Sequence, residues 1–122
     1  MTTVLIIEDN REILENTVEI LELEGYKTLT ASDGGIGIEQ VRKHRPDIVL
    51  CDIMMPEVDG YQVLKAITED PELAHIPFIF LTASVERKEV QAGFDMGAKG
   101  YIRKPFDSEE LFKTIETCIS EK

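Results

Sequence analysis

Two kinds of apolar pattern alternate along the chain. Short, nearly continuous blocks, VLIIE 4–8, DIVLC 47–51 and PFIFLT 77–82, have the character of strands buried on both faces. YKTLTA 26–31 instead alternates apolar with polar residues and predicts an edge strand, and KGYIR 99–103 predicts a short fifth strand. Between these blocks the apolar spacing is helical. Ile13, Leu14, Thr17, Val18, Ile20 and Leu21 gather on one side of a helix over 10–24 that Gly25 stops. Ile38 and Val41 face inward from a second helix, capped by Ser32 or Asp33 and ended before Pro46. Val63, Leu64 and Ile67 mark a third, ending near Pro71. Val90 and Phe94 share one side of a fourth, which starts at about Glu86, carries Gly93 and ends at Gly97, so its intrinsic stability is low. Asp107 caps the last, with Glu110 three residues on, and Leu111, Phe112, Ile115, Cys118 and Ile119 form its packing face.

Five strand–helix units in succession imply an α/β fold, a parallel sheet covered by helices on both faces. Right-handed crossovers then place every strand C-terminus at one end of the sheet, where ligands of such folds bind. That end collects Glu8, Asp9, Asp52, Thr82 and Lys104. Three carboxylates in one crevice repel each other, and a divalent cation resolves the repulsion. Hard oxygen donors with several waters suit Mg²⁺, with Mn²⁺ an acceptable substitute. Asp9 and Asp52 are the expected direct ligands, with the backbone carbonyl of Met54, and Glu8 acts through water. A cation alone does not call for Thr82 and Lys104, but an incoming phosphoryl group does. Asp52, on the central strand, can attack phosphorus and become an acyl phosphate. Mg²⁺, the Lys104 ammonium and the Thr82 hydroxyl would each take one phosphoryl oxygen. A cis bond between Lys104 and Pro105 would aim the ammonium inward.

Each of these residues alone has an ordinary explanation: a turn aspartate, a strand-end threonine, a solvated lysine. Their joint placement argues for chemistry. Asp59 and Gly60 read as a turn and helix start, not as ligands. The Met54–Met55 pair reads as loop packing, and His44 and His75 read as surface residues, not phosphoryl donors.

Composition narrows the class. A chain of 122 residues, 43% apolar and 30% charged, fits one soluble domain. Its net charge of -11 argues against sequence-independent binding to DNA or RNA. The charge fits a protein that binds cations or basic surfaces, and equally one that is simply well solvated. No apolar run approaches a membrane span, and MTTVLIIEDN lacks the basic start of a signal peptide. Cys51 and Cys118 have no metal-ligand spacing and are expected as free buried thiols, consistent with a cytoplasmic location.

The stretches VLIIEDN, PDIVLCDIMMPEVDGYQVL, IPFIFLTA, GAKGYIRKPF and DSEELF together resemble the response-regulator receiver domain of two-component signalling, the CheY-like superfamily. The likeness covers essentially the whole chain, in order. It implies a flavodoxin-like doubly wound (βα)5 fold with strand order 2-1-3-4-5, a single receiver domain over 1–122. It implies Glu8 and Asp9 as the acidic pair of the metal site, Asp52 as phosphoacceptor, Lys104 as the phosphate-binding lysine, Thr82 as the switch hydroxyl and Tyr101 as the switch aromatic. A phosphohistidine on a sensor kinase or phosphotransfer protein would be the donor. Modification draws Thr82 toward the phosphoryl group, Tyr101 moves inward, and the surface of the fourth helix, fifth strand and fifth helix changes for a downstream protein target. The chain would catalyse only its own phosphorylation and dephosphorylation, a switch and not a turnover enzyme.

The chain departs from the family's pattern at Lys99 and Gly100, where many receivers carry two acids. Met54 and Ser84 stand at the positions that tune phosphoryl lifetime. Two alternatives within the class are a relay intermediate that passes the phosphoryl group on and a non-phosphorylated binding module. Outside it, a flavodoxin would need a Ser/Thr/Gly-rich phosphate loop where EDNRE stands, and an aspartate-nucleophile phosphatase would need an acid at Met54.

Overall fold

The computed structural model describes residues 1–83 and 86–120; Ser84 lies outside them. The chain runs β1 (Thr3–Ile7), α1 (Arg11–Leu23), β2 (Lys27–Ala31), α2 (Gly34–His44), β3 (Ile48–Asp52), α3 (Gly60–Thr68), β4 (Phe78–Thr82), α4 (Arg87–Asp95), β5 (Gly100–Arg103) and α5 (Ser108–Ser120). The strands form one parallel sheet in the order β2-β1-β3-β4-β5. The polar–apolar strand is at an edge and the continuous apolar strands are central, because only central parallel strands bury both faces.

The two-residue alternation of side chains sorts the core into two layers. Val4, Ile6, Ile48, Leu50, Ile79, Leu81 and Ile102 pack on one face against Leu21 of α1 and Leu111, Ile115 and Cys118 of α5. Leu5, Ile7, Val49, Cys51, Phe78 and Phe80 pack on the other, against Val41 of α2 and Val63, Leu64 and Ile67 of α3. No helix among the described residues is long and apolar enough to cross a membrane.

Side-chain caps set the helix starts. Asn10 accepts from the Ile13 amide at 3.1 Å, Asp33 (not Ser32) from Ile36 at 2.8 Å and Asp107 from Glu110 at 2.7 Å. Asp59 and Gln62 form a reciprocal capping box, each contact 2.9 Å. Gly25 ends α1 with φ +96°, a value only glycine adopts freely. The spacing puts Val90 and Phe94 on one side of the fourth helix, but the buried residue of α4 is Gly93, and Phe94 is 41% exposed. Having no side chain, Gly93 lets the α4 backbone close onto Phe80 and Tyr101. The Phe94 ring is left on the flank, 5.5 Å from that of Tyr101.

Gly60 matters for position. A Cβ there would lie 2.5 Å from the Asp52 carbonyl oxygen, 2.8 Å from Ile53 Cα and 3.0 Å from Phe80 Cε1. The first turn of α3 is thus seated on the backbone that carries Asp52. Gly60→Ala is expected to cost about 1–3 kcal/mol through that backbone clash, and Asp59→Ala about 1 kcal/mol through the lost cap. Urea unfolding checks both: the midpoint should fall with the slope unchanged.

Candidate functional site

Register assembles the site. Ile7 pairs with Cys51 across β1 and β3, so the next residues, Glu8 and Asp52, lie side by side. The Glu8 amide still donates to the Ala31 carbonyl at 3.0 Å. Glu8 therefore keeps strand geometry and shares the sheet face of Val4 and Ile6. Asp52 pairs with Leu81, and Thr82 with Arg103. The Lys104 amide donates to the Thr82 carbonyl at 2.8 Å, which carries the lysine to the same end.

Glu8, Asp52 and Thr82 are all buried, Glu8 to 1% exposure, whereas Asp9 is exposed. Carboxylate oxygens of Glu8, Asp9 and Asp52 lie within 4.8 Å of one another. The Lys104 ammonium pairs with Glu8 and stands 3.3 Å from Asp52 Oδ1. The Lys104–Pro105 bond is cis. Burial drives the Glu8 carboxyl up to about 7. The hydrogen bonds from Lys104 and from the Asn10 amide (3.2 Å) oppose that rise, and the Asp52 charge adds to it. Hard oxygen donors gathered this closely, one of them exposed, fit a divalent cation with water in its shell.

These side chains line an open crevice of about 650 Å³, with Asn10, Met54, Ala83 and Glu89 on its walls. The two methionines part company. Met55 is buried in the core, whereas Met54 is 78% exposed at the rim, so only one of the pair packs. His44 and His75 are exposed away from the crevice. Cys51 is fully buried, and burial, then the Asp52 and Glu8 charges, push its thiol well up, so it stays protonated.

Tyr101 does not line the crevice. It belongs to the core layer opposite Glu8 and Asp52, half-buried against Phe80, its register partner on β4, with ring centroids 5.2 Å apart. Its hydroxyl donates to the Glu89 carbonyl of α4 at 2.9 Å. Burial, then its hydrogen bond with Tyr61, pushes the phenol up. Tyr61 and Glu89 are absent from the sequence-based site. Tyr61, the second residue of α3, follows a cap and reads as an ordinary helix residue, and nothing in the spacing of α4 marks Glu89.

The Glu8 carboxyl gives a pH dependence with a definite sign. Its folded pKa lies above the ordinary 4.5, so between about pH 4.5 and 7 the folded chain holds more proton than the unfolded one. The contribution of Glu8 to stability therefore falls as pH rises through that window. In chelator, the stability lost between pH 5 and pH 8 in urea unfolding should be smaller in Glu8→Gln than in the parent.

The residues from 4 to 116 match the family described as the response regulator receiver domain. Protein PilH of Pseudomonas aeruginosa is 35% identical over 120 residues, 98% of this chain and 99% of that protein. The polar-differentiation response regulator DivK of Brucella anthropi is 34% identical over 119 residues, 98% of this chain and 97% of DivK. The crystal structure of Vibrio cholerae chemotaxis protein CheY4 superposes with a TM-score of 0.92 at 30% identity, covering 97% of this chain and 98% of CheY4. Relatives that match along nearly their whole length, a flavodoxin-like sheet in the order 2-1-3-4-5 and an acidic crevice at its C-terminal end agree: the chain belongs to the response regulator receiver domain family.

Proposed function

We propose that residues 1–122 form a phosphoacceptor receiver that takes a phosphoryl group from a phosphohistidine onto Asp52 and switches a protein-binding surface, in the cytoplasm. The observation that carries this reading is the Lys104 ammonium held between the Glu8 and Asp52 carboxylates, with Thr82 at the end of the adjoining strand. A structural ion pair needs one acid and one base. Two buried acids around one lysine, beside a third acid and a hydroxyl, suit a site built to receive more charge.

Glu8, Asp9 and Asp52, with the Met54 carbonyl, would hold Mg²⁺ or Mn²⁺, Glu8 through water. That ion supplies positive charge against the phosphoryl oxygens as they approach the acids. An Asp52 carboxylate oxygen attacks phosphorus in line with the donor imidazole. The oxygen–phosphorus bond forms as the nitrogen–phosphorus bond breaks, and the imidazole keeps the electron pair and takes up a proton from solvent. Lys104 follows the charge from the carboxylate to a phosphoryl oxygen, and the Thr82 hydroxyl donates to another. In the reverse sense water attacks phosphorus, inorganic phosphate leaves and the Asp52 carboxylate is restored. Movement of Thr82 toward the phosphoryl group frees space behind it for Tyr101, which alters the α4–β5–α5 surface that a downstream protein recognises.

Intact-protein mass after incubation with Mg²⁺ and acetyl phosphate tests this. The parent should gain one phosphoryl group, and Asp52→Asn or added chelator should abolish the gain. Lys104→Ala should slow it by about 100-fold, the cost of removing one charge-stabilising donor from a transition state. No gain by a folded parent, with acetyl phosphate or with a phosphohistidine donor, would leave a binding module without the phosphoryl switch.

A further inference from the structure

One backbone carbonyl joins three elements. Tyr101 of β5 donates to the Glu89 carbonyl in the first turn of α4 at 2.9 Å, and Tyr61 of α3 reaches the same oxygen at 3.2 Å. The two hydroxyls are 3.5 Å apart. Both rings flank Phe80, with centroids at 5.3 Å for Tyr61 and 5.2 Å for Tyr101. One turn along α4, Gly93 forms a notch for the Tyr101 ring. A Cβ there would sit 2.6 Å from the Tyr101 hydroxyl, 2.9 Å from its Cε2 and 3.0 Å from Phe80 Cε2. Tyr101 can occupy this place only because position 93 has no side chain.

We propose that Tyr61 and Gly93 are positioning residues for the switch, which hold Tyr101 and α4 in the unmodified packing and so set how readily Asp52 accepts a phosphoryl group. Tyr61 adds a second donor to the carbonyl that Tyr101 uses, pinning the start of α4 to α3. Gly93 provides the only space in which the Tyr101 ring can lie against α4 in this packing. On the phosphoryl-switch reading, Tyr101 leaves this position when Asp52 is modified, and both contacts loosen. Weakening them therefore favours the modified packing, and by reciprocity raises the affinity of the crevice for a phosphoryl group by the same factor. This inference rests on the phosphoryl-switch reading of Asp52.

The probe is beryllofluoride, a tetrahedral phosphoryl mimic, titrated at saturating Mg²⁺ and followed by amide resonances of the full chain. Tyr61→Phe keeps the ring on Phe80 and removes only the hydroxyl. Its midpoint should be about fivefold tighter than the parent's, the size of one lost hydrogen bond. Gly93→Ala fills the notch and should tighten the midpoint about tenfold, the effect of a modest steric conflict confined to one packing. Tyr26→Phe, on the far edge against Phe112, should leave it unchanged. The sign separates positioning from structural damage, because a merely weakened fold binds less tightly. Binding by the parent with unchanged or weaker midpoints in Tyr61→Phe and Gly93→Ala overturns this inference alone. No binding by the parent overturns the phosphoryl reading and this inference with it.

Discussion

Two carboxylates set side by side by strand register need a positive charge, and Lys104 provides it. Glu8 and Asp52 are neighbours because Ile7 and Cys51 stand opposite each other in the parallel register of β1 and β3; moving either acid away would require breaking the ladder between those two strands. The ammonium of Lys104 meets both. Its own placement depends on the β4–β5 ladder, extended by its amide to Thr82. An ion pair this buried contributes little net stability, since desolvation offsets much of the attraction. It makes the end of the sheet electrostatically dependent on whatever cation stands there, whether the lysine or a divalent ion.

The sheet itself has few soft places, and α4 is the clearest. Among the described residues it has no side-chain cap at its N-terminus; it buries a glycine where the other helices bury aliphatic side chains, and it leaves Phe94 on its flank. Glycine in a helix interior costs about 1 kcal/mol relative to alanine. What holds α4 is aromatic contact and phenol hydrogen bonding to its first turn. Such contacts can be exchanged for others of similar strength at low cost, whereas the aliphatic layers under α1, α3 and α5 cannot.

Much of this was legible in the sequence because apolar periodicity and strand-end position are local properties. VLII, DIVLC and FIFLT announce buried parallel strands, and one topological rule brings their carboxyl ends together. Asp33 and Asp107 are polar residues poised before apolar helical runs, and both cap, as does Asp59 at the expected helix start; Asn10, read as part of the first helix, is its cap. The side of α4 was not legible, because its two apolar residues marked a face while the buried position is a glycine, invisible to a hydrophobic pattern. Tyr61 escaped for a different reason. Its partner is a carbonyl 28 residues away, and side chain-to-backbone contacts between distant elements leave no spacing in the sequence. Met54 and Met55 show the limit of composition, as identical neighbours fall one outside and one inside.

Strand β3 also works as a partition. Cys51 and Asp52 are consecutive side chains of opposite chemical character, a soft thiol and a hard carboxylate. The pleat sends them to different sides of the sheet, the thiol into the aliphatic and aromatic layer beneath α2 and α3 and the carboxylate into the open crevice. Kept protonated by burial and by the acids beyond it, the sulfur is insulated from oxidants and electrophiles that reach the neighbouring oxygen. A thickness of one polypeptide chain is enough to give adjacent residues separate chemical compartments.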